Sequence, residues 1–200
     1  DIIATIEAMK IIGASIVQKD NTLIITGTNH IHAHQNEIFC NESGSTLRFL
    51  IPIFSLCNQK LTFTGAGRLM ERPQSIYQDL FLNKKLLFEQ NDHGITIESS
   101  LPAGQYEIKG DVSSQFISGL LFTLPLLENN STIHILPPFE SKSYIDLTIQ
   151  MLEKFNVHIE WLDEHTLFIK GNQKYVAHDE IVEGDFSQFA FFAVLGAINH

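Results

Sequence analysis

"TIQMLEKFNVHIEWLDEHTLFIKG", residues 148–171, reads as an amphipathic helix, a short strand, a polar turn, a second short strand and a closing glycine. The same plan occurs in "TIEAMKIIGASIVQKDNTLIITG", residues 5–27, and in "SIYQDLFLNKKLLFEQNDHGITIES", residues 75–99. Such self-similarity marks a repeat architecture, in which each unit buries its apolar face only by stacking on its neighbours. A second set also recurs. "GDVSSQFISGLLFTLPLL", residues 110–127, resembles "GDFSQFAFFAVLGAI", residues 184–198, and "NESGSTLRFLIPIFSL", residues 41–56, holds the equivalent place; each passes from small polar residues into a helix. The whole unit is therefore strand, helix, strand, helix, strand, strand. One copy spans 36–99 and another 105–171, and residues 1–27 match the back half of an earlier copy.

The two kinds of element differ in where they are wet. "STLRFLIPIFSL" and "FISGLLFTLPLL" are apolar nearly all round, which marks helices enclosed on most sides. "TLIIT", "YEIKG" and "TLFIK" alternate, each offering one apolar and one polar face. The expected fold class is α+β, with helices inside and sheets outside. Forty-four per cent hydrophobic content supports a sizeable core. A formal charge of −10 argues against nucleic acid and against an anionic membrane surface as partners, which leaves small molecules. Cys40 and Cys57 show no metal-ligand spacing, which points to a reduced, cytoplasmic protein. The apolar runs are too short to span a bilayer. The chain opens straight into a helical pattern at Asp1 and closes inside another, so it reads as a piece of a longer protein.

The motifs "ESGSTLRFL", "GAGRLMERP", "GDVSSQFISGLL", "SKSYID" and "VEGDFSQ" stand in the order and at the spacings of the 5-enolpyruvylshikimate-3-phosphate synthase family, which the chain resembles along essentially its whole length. The resemblance implies an inside-out α/β prism lobe of enolpyruvyl transferase type, built from βαβαββ repeats. Residues 1–184 would form an incomplete N-terminal lobe ending in a crossover strand at 175–184, and 185–200 would be the first helix of a second lobe. The implied reaction transfers the enolpyruvyl group of phosphoenolpyruvate to shikimate 3-phosphate in aromatic amino-acid biosynthesis. The methylene is protonated, a shikimate hydroxyl attacks the central carbon, and phosphate leaves a tetrahedral intermediate. No metal or organic cofactor is implied. The proton-transfer groups of the family belong to the other lobe, so this chain is expected to contribute binding residues only and, alone, to be inactive. The full enzyme is implied to be a monomer.

Ser113 and Ser114 stand at a helix start, where free N–H groups and the positive dipole end favour an anion. Serine is also a favoured N-cap, and the spacing by itself leaves both readings open. The resemblance puts phosphoshikimate contacts at Ser113, Ser114 and Gln115, with Gln115 near the reacting centre, and at Ser141 and Tyr144 in "SKSYID". Lys142 would add local positive charge. Arg72, before Pro73 at the expected first position of a helix, offers a rigid fork of donors to a phosphate or carboxylate. As a lone residue it reads equally as a solvated arginine; the resemblance makes it a phosphoenolpyruvate ligand, with Arg68 as electrostatic support. Gly44 lets backbone approach a ligand, and Ser45 and Thr46 offer donors at the mouth of the buried helix behind them. The resemblance selects Gly44, and less directly Ser45, as phosphoenolpyruvate contacts, with Arg48 bracing the turn.

Glu42 and Phe49 depart from the asparagine and proline that many members carry. The related UDP-N-acetylglucosamine enolpyruvyl transferases usually carry a reactive cysteine where this chain has Gly67, which favours the shikimate enzyme. A non-catalytic ligand-binding domain of the same fold is the alternative from another class. His30, His32 and His34 alternate in "NHIHAHQ", without a carboxylate or thiol pattern to complete a metal site, and read as a polar connector. Gly184 and Asp185 read as a hinge and helix cap. The apolar tail carrying Phe189, Phe192 and Leu195 is expected to pack near residues 1–27 or to exchange with a second copy as a dimer.

Overall fold

The structure is a computed structural model that describes residues 1–184 and 186–199, with no side-chain description for 186–188. Asp185, the expected cap, lies outside the described residues. The repeat read from the sequence is the plan of the fold. Strand β3 (Glu37–Phe39), helix α2 (Gly44–Ser55), β4 (Leu61–Thr64), α3 (Ser75–Asn83), β5 (Leu87–Asn91) and β6 (Gly94–Glu98) form one copy. Strand β7 (Gln105–Lys109), helix α4 (Gln115–Thr123) with a 3-10 turn at Leu124–Leu126, β8 (Ser131–Leu136), α5 (Lys142–Lys154), β9 (Ile159–Trp161) and β10 (Thr166–Ile169) form the other. Before them come α1 (Ile2–Ile11), β1 (Ser15–Lys19) and β2 (Thr22–Thr26), the helix and two strands of a back half.

The two full copies build sheets of identical order, β3-β4-β6-β5 and β7-β8-β10-β9. In each, the first two strands run parallel and the remaining pairs antiparallel. A parallel pair needs a crossover, supplied here by α2 and α4. It also leaves the loops after both strands at the same end of the sheet, where open α/β units place ligands.

Ile38, Phe63, Ile95 and Ile97 face inward from one sheet, and Ile108, Ile133, Ile135 and Leu167 from the other, all buried. Between them lie α2 and α4, and α4 buries Phe116 through Leu121 almost without a break. Sheets outside and helices inside is therefore the observed arrangement, and the all-round apolarity of these helices is its direct consequence.

The α2–α4 crossing depends on a proline and a glycine. Pro52 sits inside α2 and has no N–H to give to the carbonyl of Arg48 four residues earlier. The hydroxyl of Tyr77, fully buried on α3, donates to that carbonyl at 2.6 Å and lies 3.0 Å from the carbonyl of Phe116 on α4. Gly119 provides the space: a Cβ there would meet the Arg48 carbonyl oxygen at 2.5 Å and Pro52 Cγ at 3.3 Å, and would also run into the Tyr77 hydroxyl. Burial accordingly holds the Tyr77 phenol well above its ordinary pKa.

Three expectations are corrected. Residues 175–184 have no regular secondary structure, so the expected crossover strand is absent. Pro73 does not open a helix; it precedes Gln74, the N-cap of α3. The tail forms α6 (Phe186–Ile198), but it does not pack near residues 1–27: Phe189, Phe192 and Leu195 are 63%, 71% and 58% exposed. A helix apolar on every side beyond its first turn has no polar face to choose as its wet one, so sequence pattern cannot say which surface covers it.

Candidate functional site

The loops that follow the parallel strands of the third unit converge. Gly110, after β7, lies so close to the loop after β8 that a Cβ there would meet the carbonyls of Pro138 and Leu136 at 2.6 and 2.7 Å. The N-termini of α4 and α5 are thereby brought side by side. Ser113, Ser114 and Gln115 from the first and Ser141 and Tyr144 from the second line one open cleft of about 560 Å³, completed by Phe49, Ser118, Leu147 and Thr148. Residues separated by nearly thirty positions in the chain thus meet because two parallel strands deliver two helix starts to one place.

The cap question left open by the spacing is answered by the hydrogen bonds. Ser114 is the N-cap of α4 and Ser141 that of α5, and neither side chain makes a capping bond. Ser113 Oγ accepts only a long contact from the Gln115 N–H, 3.4 Å. These hydroxyls remain free to serve a ligand, alongside the unpaired N–H groups of two helix starts, an arrangement suited to a phosphate. Tyr144 is 66% exposed, so its phenol stands at the cleft rather than half buried. Lys142 does not add charge to the cleft as expected. Its ammonium lies 3.3 Å from Asp146 and 3.5 Å from the centre of the Trp161 ring. That cation–π and ion-pair arrangement holds it along α5.

The second unit builds the matching corner by the same device. The β3–α2 turn and the β4–α3 loop meet, and a Cβ on Gly44 would stand 3.0 Å from Arg72 Nη1. Gly44 and Arg72, distant in sequence, are therefore neighbours. Arg72 is exposed, with no ion-pair partner among the described residues. Its carbonyl is pinned instead, accepting from Gln90 Nε2 at 3.0 Å and Gln74 Nε2 at 3.4 Å; Gln90 also donates to Met70. Arg68 pairs with Glu71 at the surface, 2.7 Å away.

The mouth of α2 differs from expectation. Its cap is Ser43, whose Oγ accepts from the Thr46 N–H at 3.1 Å. Thr46 is buried and its hydroxyl contacts those of Ser43 and Thr5 at 2.7 Å each, so it is not available to a ligand. Ser45 is half-buried, 3.1 Å from Ser43 Oγ and 3.4 Å from an Asp1 carboxylate oxygen. Arg48 does not brace this turn. It reaches across to α4, where Nη1 donates to Gln115 Oε1 at 3.0 Å and the guanidinium lies over the Phe116 ring at 4.8 Å. The α2 corner and the α4–α5 cleft are joined by this one side chain. Gly67 has a φ of +57°, and a Cβ there would collide with Glu42 Oε1. The departure at Glu42 thus occupies the space that a side chain at position 67 would need.

Sequence reasoning missed the Arg48–Gln115 bond, the two glutamines behind Arg72 and the lining role of Ser118 and Thr148, whose hydroxyls lie 2.8 Å apart. A glycine at 119 within an unbroken apolar helix was the one available signal of a close helix crossing. His30, His32 and His34 lie in the connector between β2 and β3, with the last two rings edge to face at 5.8 Å. No group of three metal-ligating side chains stands together among the described residues.

The family model described as EPSP synthase (3-phosphoshikimate 1-carboxyvinyltransferase) matches residues 1–200. A 3-phosphoshikimate 1-carboxyvinyltransferase of Clostridium kluyveri is 46% identical over 200 residues, covering 99% of this chain and 47% of the relative. One of Clostridium perfringens is 48% identical over 201 residues, with 99% and 47% covered. Among solved structures, an EPSP synthase from Acinetobacter baumannii superposes with a TM-score of 0.77 at 22% identity, covering 96% of this chain and 44% of that one. At that identity the likeness speaks for the fold. The chain spans about half the length of the curated relatives it matches.

Proposed function

We infer the function from one premise: the chain belongs to the EPSP synthase (3-phosphoshikimate 1-carboxyvinyltransferase) family. The protein that these residues serve transfers the enolpyruvyl group of phosphoenolpyruvate to shikimate 3-phosphate, and residues 1–200 supply binding groups for both substrates. The observation that carries this reading is the α4–α5 cleft, where Ser113, Ser114 and Ser141 present hydroxyls not consumed by capping beside Gln115 and Tyr144. In this assignment the three serines hold the phosphate of shikimate 3-phosphate, Tyr144 adds a phenolic donor, and Gln115 reaches toward the reacting carbon. Gly44 and Arg72, with Ser45 beside them, form the phosphoenolpyruvate corner: the missing Cβ lets the anion approach and the exposed guanidinium pairs with it. Protonation of the methylene and of the leaving phosphate falls to a second lobe facing this cleft, which requires the two reactants to be held together before chemistry begins.

We read residues 1–184 as most of one lobe and 185–200 as the first helix of the other. The exposed Phe189, Phe192 and Leu195 then await an apolar surface, and a 200-residue chain kept by itself is expected to dimerise through this helix. Concentration-dependent sedimentation that disappears on F189S/F192S/L195S substitution is the expected result, and a monomer at all concentrations removes this part. A cytoplasmic location belongs to the same proposal, supported by two unpaired, buried cysteines. No helix among the described residues is long and apolar enough to cross a membrane.

Phosphate release by the intact gene product, supplied with phosphoenolpyruvate and shikimate 3-phosphate, is the test. Turnover that needs both substrates is expected. Binding of both without turnover points to a non-catalytic domain, and turnover with UDP-N-acetylglucosamine as acceptor points to the sister enzyme. The φ of +57° at Gly67 speaks against the latter, because a cysteine there would be strained in left-handed backbone.

A further inference from the structure

We propose that Arg48 is a positioning residue that fixes which end of the Gln115 amide faces the cleft, so that the site presents an N–H donor there and selects a ligand with an acceptor oxygen at that point. This rests on the binding role assigned to the cleft above. A guanidinium carries only donors, so the atom that faces Arg48 Nη1 at 3.0 Å is the amide oxygen of Gln115. Gln115 lines the cleft, and its Nε2 has no protein partner among the described residues. The NH2 end is the one left to the ligand.

Arg48 is itself held too firmly to follow a rotating amide. Its guanidinium lies on the Phe116 ring at 4.8 Å, and its backbone carbonyl accepts from the Tyr77 hydroxyl at 2.6 Å because Pro52 leaves that carbonyl free. Tyr77 in turn meets Phe116 edge to face, 5.0 Å between centroids. The Nε of Arg48 is buried without a partner, and the bond to Gln115 is the one hydrogen bond its guanidinium makes among the described residues. Burial lowers its pKa from the ordinary value, and the positive charge of Arg72 acts in the same direction, yet an arginine stays protonated. A flipped Gln115 would set NH2 against a cation and forfeit a charge-assisted bond, which favours the observed orientation on the order of ten- to a hundredfold.

The consequence is chemical selectivity. A donor at Gln115 suits an ether, alkoxide or carboxylate oxygen of the substrate and disfavours a hydroxyl that must donate. Replacing it by glutamate converts the position to an acceptor paired with Arg48, with nothing left to offer a ligand oxygen.

The test is a double-mutant cycle on the intact gene product, with phosphoenolpyruvate and shikimate 3-phosphate as substrates. Q115A is expected to lower kcat/KM on the order of a hundredfold, R48M roughly tenfold or more, and R48K much less than R48M because it keeps a donor. The R48M/Q115A protein is expected to match Q115A, since Arg48 acts through that amide. Losses that multiply in the double variant, or an R48M enzyme as active as the parent, overturn the proposal. Side-chain amide NMR of glutamine-labelled protein reads the same point without turnover. The Gln115 NH2 should be ordered in the parent and in R48K and mobile in R48M; a freely rotating amide in the parent, or an unchanged one in R48M, overturns it. Absence of turnover in the parent would refute the proposed function while leaving the NMR comparison to decide on Arg48.

Discussion

Replacing Gly119 by alanine tests the helical centre at its tightest point. The new Cβ would stand 2.5 Å from the Arg48 carbonyl oxygen and would also strike the Tyr77 hydroxyl, so either α4 withdraws from α2 or the Tyr77 bond breaks. Overpacking of this kind costs about 1–3 kcal/mol, and leaving a fully buried hydroxyl and carbonyl unpaired costs about 1–3 kcal/mol more. Alanine returns about 1 kcal/mol through its helix propensity. The net expectation is a loss of roughly 1–5 kcal/mol, centred near 3. For a domain of this size that lowers Tm by about 6–12 °C. Urea unfolding followed by circular dichroism and by tyrosine fluorescence measures it. Tyr77→Phe alone should cost about 1–3 kcal/mol, because the Arg48 carbonyl then loses its substitute for the missing Pro52 N–H. The double variant should be less destabilised than the sum, since deleting the hydroxyl relieves part of the collision. A G119A protein as stable as the parent, or strict additivity with Y77F, would refute the account of the crossing.

Other positions give independent checks. Burial pushes the Cys40 thiol from 9.0 up to about 12, so between those values the unfolded chain releases a proton that the folded chain keeps. Stability should therefore fall as pH rises above about 9, and C40A should flatten that part of the profile in denaturation curves taken along the pH series. Gly67→Ala should cost roughly 1–2 kcal/mol by forcing a side chain into left-handed backbone, a loss that E42A cannot fully restore; chemical denaturation of the single and double variants measures both. Gln90→Ala should raise KM for phosphoenolpyruvate severalfold, by releasing the Met70 and Arg72 carbonyls that each contribute a bond of about 1 kcal/mol, with KM for shikimate 3-phosphate unchanged.

The repeat was legible in sequence because its parts carry opposite signatures. Enclosed helices such as α2 and α4 are apolar all round, while "YEIK" and "TLFI" alternate, and the two patterns recur in one order. The placing of Ser113 and Ser114 at a helix start was legible for the same reason. What the sequence could not reveal were facts about pairs. Nothing near Arg48 in the chain points to Gln115, nothing near Arg72 points to Gln90, and Thr46 reads as an open donor until Thr5 is brought against it. Ser43 caps α2 by accepting from the Thr46 N–H, a role that the run of small polar residues from 43 to 46 did not single out. Lys142 illustrates the limit for charges: a lysine at a helix start reads as an anion partner, but an aromatic face and a carboxylate one turn away captured it.

Mapping shikimate 3-phosphate onto the intact gene product by backbone and side-chain NMR is the most direct measurement of the central claim, that two helix starts delivered by parallel strands form a phosphate cleft. The account predicts the largest perturbations at Ser113, Ser114, Ser141 and Tyr144, and a loss of affinity on the order of ten- to a hundredfold for each serine replaced by alanine. Tight binding that leaves these residues unperturbed and survives their replacement would contradict it.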